Sequence, residues 1–110
     1  MASTSRVLVV GQESRGIEGL ERVLVGQGYV VRTAAEGDSA LSSLDQWRPH
    51  LVFTDKHMPQ TEAVALCRRI RSVSKVPVIV LSDGASEEAK VEALDSGADD
   101  YVTRPYNSGE

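Results

Sequence analysis

Four short stretches of this 110-residue chain carry side chains able to do chemistry, and each closes or follows an apolar, β-branched run. They are Gly11-Gln12-Glu13 after RVLVV, Asp55-Lys56-His57-Met58-Pro59 after HLVFT, Ser82-Asp83-Gly84 at the end of VPVIVLS, and Thr103-Arg104-Pro105 at the end of DYVT. Carboxylate, imidazole, hydroxyl and guanidinium are all on offer. Two chemistries are tested first. Gly11 to Gly16 spells G-x-x-x-x-G after a strand, as a phosphate-cradling loop would, but Ile17 and Glu18 stand where lysine and serine or threonine must follow. A nucleophile elbow, G-x-S-x-G, is absent, and His50 and His57 give no triad. Neither a nucleotide loop nor a hydrolase is expected, and the chain reads as no enzyme.

The elements that must position these stretches follow from periodicity. Strands are expected over 6–10, 29–33, 50–54, 76–82 and 100–103, where valine, isoleucine and aromatic residues cluster. Between them, Ile17, Leu20, Val23 and Leu24, then Ala40, Leu41, Leu44 and Trp47, then Ala63, Leu66, Cys67 and Ile70, then Val91 and Leu94 recur at helical spacing. Ser14, Asp38, Thr61 and Ser86 are placed to cap the four helices, and Gly28 and Gly97 to end two of them. The order β-α-β-α-β-α-β-α-β, with strands apolar on both faces, predicts an α/β fold with a parallel sheet between helices. Right-handed crossovers leave few topologies. In such sheets ligands bind outside the carboxyl ends of the strands, where the four stretches converge.

Composition sets the bounds. At 41% apolar, the chain can bury one modest core and reads as a single domain over 1–110, with its core at 6–106. A formal net charge of −4 disfavours direct binding to nucleic acid or an anionic membrane. No apolar run reaches the roughly 20 residues of a membrane span, and a cytoplasmic location is the default expectation. The lone Cys67 suggests neither disulfide nor zinc.

The combination of TDKHMP, VPVIVLSDG, ALDSGADDY and RPY resembles the receiver domain of bacterial two-component response regulators, ungapped over residues 6 to 106. KVEALDSGADDYVTRPY is most similar to receivers of the group that carries a winged-helix DNA-binding domain behind them. The resemblance implies a flavodoxin-like doubly wound five-stranded sheet in the order 2-1-3-4-5. It implies that Asp55 is the phospho-acceptor, that Ser82 contacts the phosphoryl group, and that Tyr101 is the aromatic switch. His57 matches a position that offers magnesium its backbone carbonyl. Lys90, Asp99 and Asp100 match a dimer face formed by the fourth helix and fifth strand, and a sensor histidine kinase is the implied partner. DKHMPQ is also similar to the D-x-H-x-x-G that sets a histidine under cobalamin, but Gln60 replaces the glycine and the strand is wrong.

Departures from the family pattern are concentrated in the pocket. Two acidic residues that help hold magnesium are replaced by Gly11 and Gln12, lysine by Arg104, and a frequent glycine by Ala63. Magnesium requires near-octahedral hard oxygen ligands, usually including carboxylates, and Gln12 supplies one neutral oxygen at most. A degenerate site at Gln12, Asp55 and the His57 backbone is therefore expected to bind magnesium weakly or not at all, with no other cofactor. Arg104 is expected to grip Asp55 with its planar fork, with Glu13, Lys56 and Pro105 nearby. The chain then reads as a receiver with transcriptional output that acts by dimerisation or by ligand or partner binding rather than by phosphate. The alternative is a phosphorylatable receiver with a modified metal site. After the last strand, NSGE leaves the expected fifth helix missing or truncated, so the sequence reads as a fragment of a longer regulator whose DNA-binding domain lies beyond residue 110, or as a chain that pairs with a second copy.

Overall fold

A computed structural model describes residues 5–12, 15–55, 58–82 and 86–103. The chain alternates β1 (Arg6–Val10), α1 (Arg15–Gly26), β2 (Val30–Ala34), α2 (Gly37–Trp47), β3 (Leu51–Thr54), α3 (Gln60–Val73), β4 (Val78–Ser82), α4 (Glu87–Asp95) and β5 (Asp100–Thr103). The strands form one sheet in the order β2-β1-β3-β4-β5, and every pairing is parallel. This is the predicted doubly wound topology, with strand ends within two residues of their expected positions. The expected fifth helix falls outside the described residues.

Alternation along β1 and β3 splits the core between the two faces of the sheet. Leu8, Val10 and Val52 join Ala40, Leu44, Leu66, Cys67 and Ile70 on the side of α2 and α3. Val7 and Val9 pack with Ile17 and Leu24 of α1 on the other. β1 is buried along four of its five residues, as a central parallel strand should be. β2 departs from the prediction of strands apolar on both faces, because it is the edge strand, and Val30 there remains 44% exposed.

Two expected apolar stripes are trimmed for helical reasons. Val23 is 61% exposed, because at about 100° per residue it lies well round the α1 cylinder from Ile17 and Leu24. On α4 the buried position is Ala93, whereas Val91 and Leu94 remain exposed. Ala89, Lys90, Ala93 and Ser96 form the inward side of that helix, and Val91 lies almost opposite.

Helix ends also differ in part from expectation. Ser86 caps α4, its hydroxyl accepting from the Ala89 amide at 3.2 Å. Asp38 and Thr61 instead lie inside their first turns, behind Glu36 and Pro59 as the capping residues. Proline suits such a start because its missing N–H is one that the first turn leaves unpaired. Asp38 forms a surface ion pair with Arg69. Ser14 lies outside the described residues. Gly28 and Gly97 have positive φ, as helix-ending residues do. Gly97 is held by Arg71, which donates to the Gly97 carbonyl at 2.6 Å, to the Ser74 and Val76 carbonyls, and to Asp99 at 3.2 Å.

Packing generates two predictions. Ile70 is completely buried, so Ile70→Ala should cost about 2–5 kcal/mol in chemical denaturation. Thr54 is equally buried but its hydroxyl has no hydrogen-bond partner among the described residues, so Thr54→Val should leave the midpoint unchanged or raise it. Burial is the main cause that pushes the Cys67 thiol above its ordinary 9.0, opposed by Arg71 and aided by Asp99. The unfolded chain therefore loses that proton first as pH rises. Stability from this group should be intact below about pH 9 and decline above it, an effect that Cys67→Ala removes from a pH series of unfolding curves.

Candidate functional site

Two backbone hydrogen bonds set the geometry at the carboxyl edge of the sheet. The Asp55 amide donates to the Val10 carbonyl at 2.7 Å, and the Gly11 amide donates to the Ala34 carbonyl at 2.8 Å. The ends of β2, β1 and β3 are thereby drawn into one row, with Val10 beside both Ala34 and Thr54. The Met58 amide then donates to the Asp55 carbonyl at 3.1 Å, turning the chain towards Pro59 and α3.

These turns enclose a cleft of about 510 Å³ lined by Gly11, Gln12, Ala35, Glu36, Asp55, Met58, Pro59 and Glu62. Its size is ordinary for a small-molecule site. Asp55 is only 6% exposed. Gln12 is exposed and lines the same cleft. Gly11, Gln12 and Asp55 thus come together as their positions after parallel strands predicted.

Of the other predicted residues among those described, only Ser82 is at this carboxyl edge. Ser82 ends β4, partly exposed and paired with Thr103 of β5. Tyr101 is 5% exposed within the core on the α2–α3 side, with Val80 beside it. Lys90 is half-buried on α4, and Asp99 and Asp100 are exposed at the start of β5. Asp99 is engaged within the chain by Arg71, and the Asp100 carboxylate accepts from the Tyr101 amide at 2.7 Å. Glu13, Lys56, His57, Arg104 and Pro105 lie outside the described residues, and so does the expected Arg104–Asp55 ion pair.

Glu36 and Glu62 are cleft residues that the motif reading missed. The signal for Glu36 was available, since it follows β2 at the same edge. Glu62 reaches the cleft from the first turn of α3, which no strand-end rule indicates.

Gly11 has a contact role that composition does not reveal. A Cβ built there would overlap the Cβ of Asp55 and lie 3.0 Å from the Ile17 Cδ1. The close approach of β1 and β3 ends therefore leaves room for hydrogen alone at position 11.

Residues 7–110 match the family model described as the response regulator receiver domain. The transcriptional regulatory protein CseB of Streptomyces coelicolor is 39% identical over 107 residues, covering 97% of this chain. The chain spans 46% of CseB, about half the length of the curated relatives it matches. Among solved structures, a response regulator from Chloroflexus aurantiacus superposes with a TM-score of 0.85 at 30% identity, covering 96% of this chain and 88% of that one. A response regulator from Burkholderia pseudomallei, solved with a phosphorylated aspartic acid, calcium ion and citrate, superposes at 0.82 with 27% identity, covering 94% and 61%.

Space at the two glycines can be compared directly. Gly11→Ala should destabilise the fold by about 1–3 kcal/mol through overpacking against Asp55. Gly19→Ala, in α1 with no atom within 4 Å of the new methyl, should stabilise by roughly 0.5–1 kcal/mol. Thermal melts of the two variants check both signs.

Proposed function

The chain belongs to the response regulator receiver family, and from that premise we propose that it is the receiver module of a transcriptional regulator whose output does not depend on magnesium-assisted phosphorylation of Asp55. The observation that supports this reading is that Gly11 and Gln12 line the cleft beside Asp55 and neither offers a carboxylate. The family's magnesium is held with the help of acidic residues at positions 11 and 12. Here Gly11 has no side chain and Gln12 is neutral. No group of three His, Cys, Asp or Glu side chains among the described residues is arranged to share a cation. The donor set does not fit a hard divalent ion that prefers carboxylate oxygens.

Asp55 in this reading is a buried carboxylate at the base of a cleft rather than one member of a metal-binding triad. Arg104, which stands where relatives have lysine, is its proposed partner. A guanidinium satisfies both carboxylate oxygens at once, and neutralises the charge that a metal would otherwise balance. The switching input is then a ligand or partner that binds one conformation better than another. The output surface is the α4–β5 face, where Asp100 is exposed, Lys90 is half-buried and Asp99 is already engaged by Arg71. Exposed ion pairs contribute little each, so apolar contacts around Val91 and Leu94 must supply most of the dimer affinity. DNA contact belongs to a domain beyond the present sequence, and the reading places the whole regulator in the cytoplasm.

The phosphorylated aspartate in the Burkholderia pseudomallei relative gives the second reading, in which Asp55 accepts phosphate from a sensor histidine kinase despite the altered pocket. Incubation with acetyl phosphate and millimolar Mg²⁺, followed by intact-mass spectrometry, separates the two. The expected spectrum shows unmodified protein, and NMR resonances of Gln12 and Asp55 stay in place during the magnesium titration. A stoichiometric phosphoryl adduct on Asp55 overturns the proposal in favour of the second reading.

A further inference from the structure

α4 is unusually thinly attached to the rest of the molecule. Ala93 is its one buried residue among those described, and its exposed side carries Glu87, Glu88, Val91, Leu94 and Asp95. The hydroxyls of Ser86 and Ser96 bond within the helix and its caps. At the C-terminal end the following turn is pinned, because Arg71 grips Gly97 and Asp99 while the Asp99 amide donates to the Val78 carbonyl at 2.7 Å. Among the described residues, nothing comparable holds the N-terminal half except one side chain. The amide nitrogen of Gln60 donates to the Ala89 carbonyl at 3.0 Å and to a Glu92 carboxylate oxygen at 3.2 Å. Among the described residues these are the only side-chain hydrogen bonds joining α4 to another element.

Gln60 is the first residue of α3 and directly follows Pro59, which lines the Asp55 cleft. A short covalent and hydrogen-bonded path therefore runs from the Asp55 carbonyl to the Met58 amide, through Pro59 to Gln60, and across to α4. We propose that Gln60 is the positioning residue that couples the cleft to α4, so that whatever displaces the Met58–Pro59 rim moves the N-terminal half of α4 about its pinned C-terminal end. Glutamine suits the task because its terminal nitrogen has two N–H groups for two acceptors, a carbonyl and a carboxylate. Glutamate at the same place would set a negative group against both. The coupling depends on this contact and not on whether phosphate, a metal or another ligand occupies the cleft, so it stands apart from the functional reading above.

Amide hydrogen exchange on the intact 110-residue chain tests the tether. A net hydrogen-bond contribution near 1 kcal/mol predicts that Gln60→Ala speeds exchange of residues 91–96 by roughly fivefold, with exchange in β1 and β3 unchanged. Gln60→Met, which keeps the side-chain length but has no donor, should do the same and serves if the alanine variant folds poorly. Gln60→Glu should exceed both. Unchanged α4 exchange in Gln60→Met overturns the proposal. Coupling itself has a separate readout that mere loss of stability would not give. Asp55→Asn should shift the NMR amide resonances of residues 88–93 in the wild-type background and leave them in place when Gln60 is also replaced by methionine. Equal shifts in both backgrounds would show that α4 senses the cleft by another route and would sink the idea.

Discussion

The arrangement rests on the parallel pairing of β1 with β3, whose last rung is the hydrogen bond from the Asp55 amide to the Val10 carbonyl. Both strands are central and their inward residues are nearly inaccessible, so this rung is fixed by the burial of Leu8, Val10 and Val52 on one face and Val7 and Val9 on the other. A one-residue slip would turn each of those side chains to the wrong face. Register held this firmly determines how closely Gly11 approaches Asp55. A glycine at that point permits the approach, because a Cβ there would overlap that of Asp55.

Stability is distributed unevenly around that rung. α3 is anchored by five buried residues and has Arg71 reaching from its last turn to the α4–β5 connection. α4, nine residues long, has one buried residue and a few polar links. Elements with little buried apolar area open at low free-energy cost, and moving parts are drawn from such elements. Among the described residues, the helix least bound to the core is thus the one on the proposed output face, and its attachment leads back to the rim of the cleft. Arg71 has a double part here, since the side chain that fixes the end of α4 also occupies Asp99 and so alters the charge that face presents.

How much of the site could be read beforehand varies by residue. Gly11, Gln12, Asp55 and Ser82 were placed at one edge by their positions after strands, and the parallel topology put them there. Tyr101 was recognisable as a buried aromatic or a switch, but its core neighbours were not. Val23 and Val91 match a helical period yet face solvent, because a period states that residues share a stripe and not which stripe meets the sheet. Asp38 and Thr61 are good capping types that lie two residues too late, since Glu36 and Pro59 start those helices. Gln60 carried no motif signal for its bonds to α4, which join residues far apart in the chain.

The amino-acid order by itself determined the alternation of strands and helices, the parallel sheet, and the set of polar residues delivered to its carboxyl edge. These follow from periodicity, chain connectivity and handedness, all of which are local or nearly so. Only the tertiary structure decided that Gly11 packs directly against Asp55, that Glu36 and Glu62 join the cleft, that Arg71 engages Asp99, and that Gln60 reaches α4. Each of these depends on distances of a few ångströms between segments remote in sequence. Such distances are set by the collective packing of the core, and no local pattern of residue types encodes them.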